Sequence, residues 1–194
     1  MAKKKKIGLM LIISSPSGAG KTTLTKALIK ADPNTKLSIS VTTRSPRGNE
    51  VDGKDYHFIT EKKYNELKKA KMLLESAEVF GYHYGTPKKD TEDTISKGRD
   101  MVYDIDWQGA VQLMQNCRKD VVSIFIMPPS VEILEQRLRN RATDDESTIE
   151  RRLAGSKIEM SKSHYYDYIL TNYEIEDALK QIQEILNKER QKRL

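Results

Sequence analysis

The sequence predicts an α/β fold built on a parallel β-sheet core that is flanked by helices and carries a phosphate-binding loop (P-loop). The apolar run 7–13 leads through a glycine-rich turn into a helical stretch over 22–30, which is the order strand, loop and helix. Two later apolar runs, 101–105 and 121–127, are each followed by a helical pattern. Repeated strand-then-helix units predict a parallel sheet whose strands are joined by right-handed crossovers.

The spacing of apolar residues predicts each element of this core. Residues 7–13 are continuously apolar, as expected of a central parallel strand that is covered on both faces. Helices are predicted over 108–116 and 131–140, after the second and third strands. A short strand is predicted over 168–170. The helix over 175–186 closes the core, because its apolar side chains recur at helical spacing.

Two stretches of different character interrupt the core. Residues 38–87 combine short alternating segments such as 56–60, many turn residues and a charged helix over 61–71, which predicts an inserted, mainly antiparallel lobe. Residues 140–147 are polar and join two helices, which suits a mobile flap. We therefore expect a single domain over 1–194 with a core, a lobe and a small lid. The core spans about 7–37, 88–136 and 153–194. The lobe spans about 38–87 and the lid about 137–152.

Composition narrows the class of protein. A chain of 194 residues with 37% hydrophobic residues suffices for one well-packed domain. The net charge of +6 comes from the lysines at 3–6 and from the segment 188–193, so the rest of the chain is nearly neutral and we expect no nucleic-acid partner. Cys117 is the single cysteine, which fits a reducing compartment such as the cytoplasm. The lysines and the first apolar run imitate a signal peptide, but the run stops at Ser14. No run approaches the ~18 apolar residues of a membrane span, so we expect no membrane partner.

The glycine-rich turn matches the P-loop pattern except that a serine replaces its first glycine. Its residues are Ser15, Pro16, Ser17, Gly18, Ala19, Gly20, Lys21, Thr22 and Thr23. The glycines let backbone N–H groups face phosphate oxygens, Lys21 reaches the β- and γ-phosphates, and Thr22 offers its hydroxyl to Mg²⁺. The alternative is an ordinary glycine-rich turn capped by Thr22. The position between an apolar strand and a helix favours binding of ATP or GTP.

Charged residues in the lobe and after the second strand suit an anionic substrate. Arg44 and Arg47 flank a Ser-Pro turn, and with Tyr56 they could hold a phosphate dianion or be solvated loop residues. Asp104 and Asp106 are two residues apart at a strand end, so their side chains would point to one side about 6.6 Å apart. Two such carboxylates need a cation or a donor-rich base. Asp106 either serves the water shell of Mg²⁺ or caps the following helix.

These residues lie within longer segments that resemble the guanylate kinase family. The resemblance includes the P-loop, 40–47, 50–56, Glu75, 82–86, 104–109 and 128–152, and so covers nearly the whole chain. It implies transfer of the γ-phosphoryl group of ATP to GMP, and to dGMP, with Mg²⁺. Tyr84 would touch the acceptor phosphate or pack on the base. The guanine edge would meet Ser40, Glu75, Thr86 and Asp104. Many relatives carry serine where this chain has Thr86.

The resemblance also implies a lid whose arginines close over the transferring phosphoryl group. These are Arg137, Arg141 and Arg152. Arg139 and Arg151 lack that match and are expected at the surface. No general base is needed, because a nucleotide phosphate has a second pKa of about 6 and is largely ionised at neutral pH. Asn172 could lie near the adenine or be a turn residue.

Two alternatives and one open question remain. Scaffold proteins contain guanylate-kinase-like domains that bind peptides and typically lack the P-loop lysine and the lid. A related P-loop kinase with another phosphorylated acceptor should lack the set that reads guanine. The sequence leaves open whether the protein is a monomer or a homodimer.

Overall fold

The structure is a computed structural model that describes residues 7–79, 81–140 and 145–193. The nine strands of the described part are β1 (Met10–Ser14), β2 (Thr35–Leu37), β3 (Val41–Thr42), β4 (His57–Phe58), β5 (Leu73–Val79), β6 (Tyr82–Pro87), β7 (Asp100–Asp104), β8 (Val121–Met127) and β9 (Tyr168–Thr171). Its seven α-helices are α1 (Lys21–Ala31), α2 (Glu61–Lys69), α3 (Lys88–Ile95), α4 (Trp107–Cys117), α5 (Val131–Arg139), α6 (Glu146–Ser161) and α7 (Ile175–Gln191).

A five-stranded sheet in the order β2-β7-β1-β8-β9 forms the core, and all of its pairs are parallel. This confirms the predicted parallel sheet. β1 lies at its centre and every residue of the strand is buried. The strand begins at Met10, three residues later than predicted, because Leu9 donates its N–H to the Asp100 side chain and Ile7 is exposed.

Helices cover both faces of this sheet. One face packs against α1 and α7 through residues such as Leu24 and Ile182, which are fully buried. The other face packs against α4 through Leu113, with Phe125 of β8 in the same cluster. Burying a leucine or isoleucine side chain contributes about 1.5–3 kcal/mol, so both layers stabilise the sheet and fix the positions of its strands.

The inserted lobe contains a second sheet of four strands in the order β4-β3-β6-β5. The β3–β6 and β5–β6 pairs are antiparallel and β3–β4 is parallel, so the sheet is mainly antiparallel as predicted. The edge strand β5 lies against α4. Gln112 of α4 accepts the N–H of Ser76 at 3.2 Å and donates to its carbonyl at 2.9 Å, and Asn116 donates to the Leu74 carbonyl at 3.2 Å. The polar side chains of α4 therefore occupy hydrogen-bonding groups along β5.

Among the strands and α-helices of the core, α3 and β2 were not predicted. The helix α3 buries Thr91 and Thr94 rather than aliphatic residues, and Thr91 accepts the hydroxyl of Tyr103 at 2.9 Å. A helix whose inner face is made of threonines has no apolar periodicity. The strand β2 is only three residues long.

Helix ends also departed from the predicted bounds. The helix α2 stops at Lys69, because the chain turns at Lys71 with a φ of +53°. The helices α5 and α6 lie on either side of residues 141–144, so the predicted lid residue Arg141 is outside the described residues. Within the ranges that the structure describes, no helix combines the length and apolarity needed to cross a membrane.

Candidate active site

A cleft of about 910 Å³ lies where the carboxyl ends of the parallel strands face the lobe. In open α/β sheets this is the usual position of ligands. The cleft is lined by predicted residues of both substrates. Its lining includes Lys21, Thr22, Ser40, Arg47, Tyr56, Glu75, Tyr84, Asp104 and Asp106. The structure thus brings Lys21 and Thr22 of the P-loop and most of the predicted acceptor residues to one cavity, while Arg44 and Thr86 do not line it.

The P-loop joins the buried end of β1 to the first turn of α1. Gly18 and Gly20 both have a φ of +94°, a left-handed conformation that a residue with a β-carbon rarely adopts. Ala19 between them is fully buried against Leu134 and Leu138 of α5. Ser15, at the position of the first glycine, has no positive φ and donates its hydroxyl to the Pro16 carbonyl at 3.0 Å. The serine therefore fits this loop without backbone strain.

The N-terminus of α1 differs from those of α2, α4, α5 and α6. Each of those four helices has a side-chain cap, whereas among the described residues none caps α1. The helices α3 and α7 also lack a side-chain cap, but their first turns contain acidic residues and that of α1 contains none. Thr22 and Thr23 are exposed there. Uncapped N–H groups and the positive end of the helix dipole form a site for an anion, which is what a nucleotide phosphate requires.

Lys21 forms an ion pair with Asp104. The Nζ atom lies 2.6 Å from Oδ1 of Asp104 and donates to the Ile105 carbonyl at 3.1 Å. Burial lowers the pKa of Lys21, but the charge of Asp104 and the hydrogen bond to it outweigh burial and raise the pKa above its ordinary value. Lys21 therefore carries its positive charge at neutral pH.

The buried guanidinium of Arg44 is held by several partners in the lobe. It donates to Glu50 at 2.9 Å, to the Tyr84 hydroxyl at 3.2 Å and to the Ser45 carbonyl at 2.7 Å. Burial lowers the pKa of Arg44, but the hydrogen bonds to Glu50 and Tyr84 raise it well above its ordinary value. Arg44 is 6% exposed and does not line the cleft, whereas Arg47 is exposed and does.

Glu50 in the lobe was not among the predicted site residues. This residue accepts from Arg44 and also from the backbone N–H of Arg47 at 2.8 Å. It therefore fixes both arginines of the Ser-Pro turn. Its place at the start of the segment 50–56, which carries the family resemblance, was the signal that could have found it.

Glu75 is a buried carboxyl group in the wall of the cleft. Its side chain is 5% exposed and accepts from the hydroxyl of Thr86 at 2.7 Å. Burial raises the pKa of Glu75 to about 7; the hydrogen bond from Thr86 lowers it, and the charge of Asp106 raises it. Thr86 itself is fully buried behind Glu75, so its predicted contact with guanine remains a prediction.

Gly109 makes room for this carboxyl group. A β-carbon at position 109 would lie 2.7 Å from Oε2 of Glu75, so any side chain there would displace the carboxyl group. Gly109 belongs to the segment 104–109 that carries the family resemblance, but its spatial relation to Glu75 could not be derived from the sequence.

Asp106 caps α4 and lines the cleft. Its Oδ1 atom accepts from the N–H groups of Gln108 at 2.8 Å and of Gly109 at 3.0 Å. Asp106 therefore caps α4, which is one of its two predicted roles. Its role in holding Mg²⁺ stays a prediction. In the part of the chain that the structure covers, no cluster of three His, Cys, Asp or Glu side chains could hold a metal. Mg²⁺ prefers oxygen ligands and usually keeps waters and substrate phosphates, so Thr22 and Asp106 fit it.

Arg137 and Asn172 are linked to the P-loop by hydrogen bonds. Arg137 of α5 donates to the Asn172 carbonyl at 3.3 Å, and Asn172 donates from Nδ2 to the Ala19 carbonyl at 2.8 Å. Asn172 is 1% exposed and supports the P-loop. Arg152 lies on α6, and neither Arg137 nor Arg152 lines the cleft. Arg139 pairs with Glu135 and Glu146 at the surface.

Comparison with known proteins identifies close relatives. The guanylate kinase family model matches residues 8–189. A guanylate kinase of Paramagnetospirillum magneticum is 50% identical over 96% of this chain and 87% of its own length. A guanylate kinase of Rickettsia bellii is also 50% identical, over the full length of both chains. Among solved structures, a guanylate kinase from Anaplasma phagocytophilum is similar, with 40% identity and a TM-score of 0.81 over 96% of this chain and 88% of that one.

Proposed function

This chain belongs to the guanylate kinase family, and we propose that it transfers the γ-phosphoryl group of ATP to GMP, producing ADP and GDP. The protein is an enzyme, a nucleoside monophosphate kinase. The observation that carries the proposal is a single cleft lined both by the P-loop residues Lys21 and Thr22 and by the acidic residues Glu75 and Asp104. Nothing favours the peptide-binding alternative.

The donor site is the P-loop. Its uncapped helix N-terminus binds the phosphates of ATP, and Lys21 neutralises charge on the β- and γ-phosphates. Lys21 is already charged because Asp104 raises its pKa. All of residues 15–23 belong to the ATP-binding site.

The acceptor phosphate is bound in the lobe. Arg47 and the hydroxyls of Tyr56 and Tyr84 line the cleft and supply positive charge and donors. Arg44 supports them, since it donates to the Tyr84 hydroxyl and shares Glu50 with Arg47. Planar guanidinium groups suit a phosphate dianion because they donate two parallel hydrogen bonds.

The guanine edge is read by acceptors. Guanine presents two donors, N1–H and the 2-amino group, whereas adenine presents an acceptor at N1 and has no 2-amino group. Glu75 and Asp104 accept these donors, and Ser40 and Thr86 complete the set by family resemblance. The N–H donors of guanine favour the ionised form of Glu75. Binding of the base therefore lowers the pKa of Glu75, which burial raises.

Thr22 and Asp106 would hold Mg²⁺, Asp106 through water, and the ion would supply positive charge to the transferring phosphoryl group. Closure of the lid brings Arg137, Arg141 and Arg152 toward the same group and excludes water, which would otherwise hydrolyse ATP. No side chain needs to act as a base, because the acceptor phosphate is already ionised.

The substrates are ATP, GMP and dGMP, and the enzyme works in the cytoplasm, which its single cysteine fits. It acts without nucleic acid or membrane. Monomer and homodimer are both compatible with this chemistry.

A coupled assay of ADP release with GMP, dGMP, IMP, AMP and CMP tests the function. We expect GMP to exceed AMP in kcat/KM by about 10⁴-fold, because a buried acceptor left without its donor is costly. IMP lacks the 2-amino group and should fall between them. Equal use of AMP or CMP would refute the proposed base recognition.

A further inference from the structure

Glu159 connects the helix α6 to the P-loop. Its Oε2 atom accepts the backbone N–H of Ser17 at 3.1 Å, across 142 positions of sequence. Ser17 directly precedes Gly18, the first of the two loop residues with a left-handed backbone. The predicted site residues did not include Glu159.

A carboxylate at this position is costly. Burial raises the pKa of Glu159, the Ser17 N–H and the charge of Lys21 lower it, and the charge of Asp106 raises it. The carboxylate also stands beside a loop that binds polyphosphate, where like charge weakens binding. Its observed contribution is the hydrogen bond that fixes Ser17.

The helix α6 also bears Arg152, a predicted lid residue. The helix is continuous over 16 residues from Glu146 to Ser161. Arg152 and Glu159 are seven residues apart on it, which is about two turns or 10.5 Å, so they lie on nearly the same face. A movement of α6 that displaces Arg152 must therefore displace the carboxylate that holds Ser17.

We propose that Glu159 is a positioning residue that couples the movement of α6 to the geometry of the P-loop. This inference rests on the proposed function, since it concerns the residues that bind ATP and close over it. The coupling places the loop for phosphoryl transfer when Arg152 reaches the transferring group.

The first test compares Glu159→Ala and Glu159→Gln with Glu150→Ala, an exposed glutamate of the same helix. We expect Glu159→Ala to lower kcat/KM for ATP about tenfold, because small misplacements of reacting groups are expensive, and to change KM for GMP less than about twofold. Glu159→Gln keeps an acceptor for Ser17 and should recover most of the kcat/KM for ATP that Glu159→Ala loses. Glu150→Ala should match the wild type.

The second test is a double-mutant cycle with Arg152→Ala. If Glu159 acts through α6, Glu159→Ala should lower kcat/KM for ATP less than about threefold in the Arg152→Ala background, against about tenfold alone, because coupled residues are not additive. Full additivity would overturn the coupling. So would wild-type kinetics of Glu159→Ala, or a loss that affects only the melting temperature.

The proposed function and this inference fail in different ways. A wild type that releases no ADP with GMP contradicts the function. Calorimetric binding of MgATP to the wild type and the Glu159 variants then decides the inference, since weaker binding by Glu159→Ala, restored by Glu159→Gln, supports it and equal binding overturns it.

Discussion

The buried carboxyl group of Glu75 should make the stability of the protein depend on pH. Its pKa in the fold is raised from 4.5 to about 7, mainly by burial. The native state therefore binds more protons than the unfolded state between these values, so Glu75 stabilises the fold at low pH. A shift of this size corresponds to about 3 kcal/mol, present in full below pH 4.5 and lost as pH rises through 7.

Glu75→Gln removes this titration while keeping an oxygen that can accept from Thr86. The free energy of unfolding, measured with urea at pH 5 and pH 8, should therefore fall more for the wild type than for the variant over that interval. The expected difference between the two changes is about 2.5 kcal/mol. Glu78→Gln is the matched control, because Glu78 lies on the same strand and is exposed. It should keep the wild-type dependence on pH.

Equal losses of stability in the wild type and Glu75→Gln between pH 5 and pH 8 would contradict this role of Glu75. A second readout uses GMP. Because donors of guanine favour the carboxylate, GMP binding near pH 7 should release protons from the wild type and fewer from Glu75→Gln. Calorimetry in two buffers of different ionisation enthalpy measures this release.

Three further predictions concern the phosphate end of the cleft. Lys21→Ala should lower kcat at least about 10³-fold with the fold intact by circular dichroism, and near wild-type turnover would contradict the P-loop role. Arg141→Ala should lower kcat more than it raises KM for GMP, because a lid arginine acts on the transition state; a pure KM effect would assign it to ground-state binding. Asp106→Ala should cost about 1 kcal/mol of stability through loss of the α4 cap, whereas Asp106→Asn keeps the cap. If Asp106 also serves Mg²⁺, Asp106→Asn should raise the Mg²⁺ concentration needed for half-maximal rate; an unchanged requirement would limit Asp106 to capping.

The core could be predicted because its main strands are visible in the sequence as apolar runs. Strands buried on both faces need continuous apolar sequence, and β8 was predicted with its bounds unchanged. The helix α3 was missed because its buried face consists of Thr91 and Thr94, whose polar side chains carry no hydrophobic period. The periodicity of apolar residues reveals a buried helix face only where the buried side chains are apolar.

Site residues within one motif were easier to predict than those that meet across the fold. The P-loop is a contiguous segment whose residue types follow from phosphate binding, so its residues could be named from the sequence. The Asp104 carboxylate that pairs with Lys21 was predicted at the site, but not the ion pair between them. Glu159 resembles any surface glutamate of a helix, and only the fold brings it to Ser17.

The attachment of β5 to α4 fixes one edge of the lobe to the core. Gln112 bonds both backbone groups of Ser76, the residue after Glu75, and so ties the part of the lobe that carries Glu75 to the core. A rotation of the lobe toward the core would then have its axis near β5. Glu75, next to this axis, would move less than β4 at the opposite edge of the sheet.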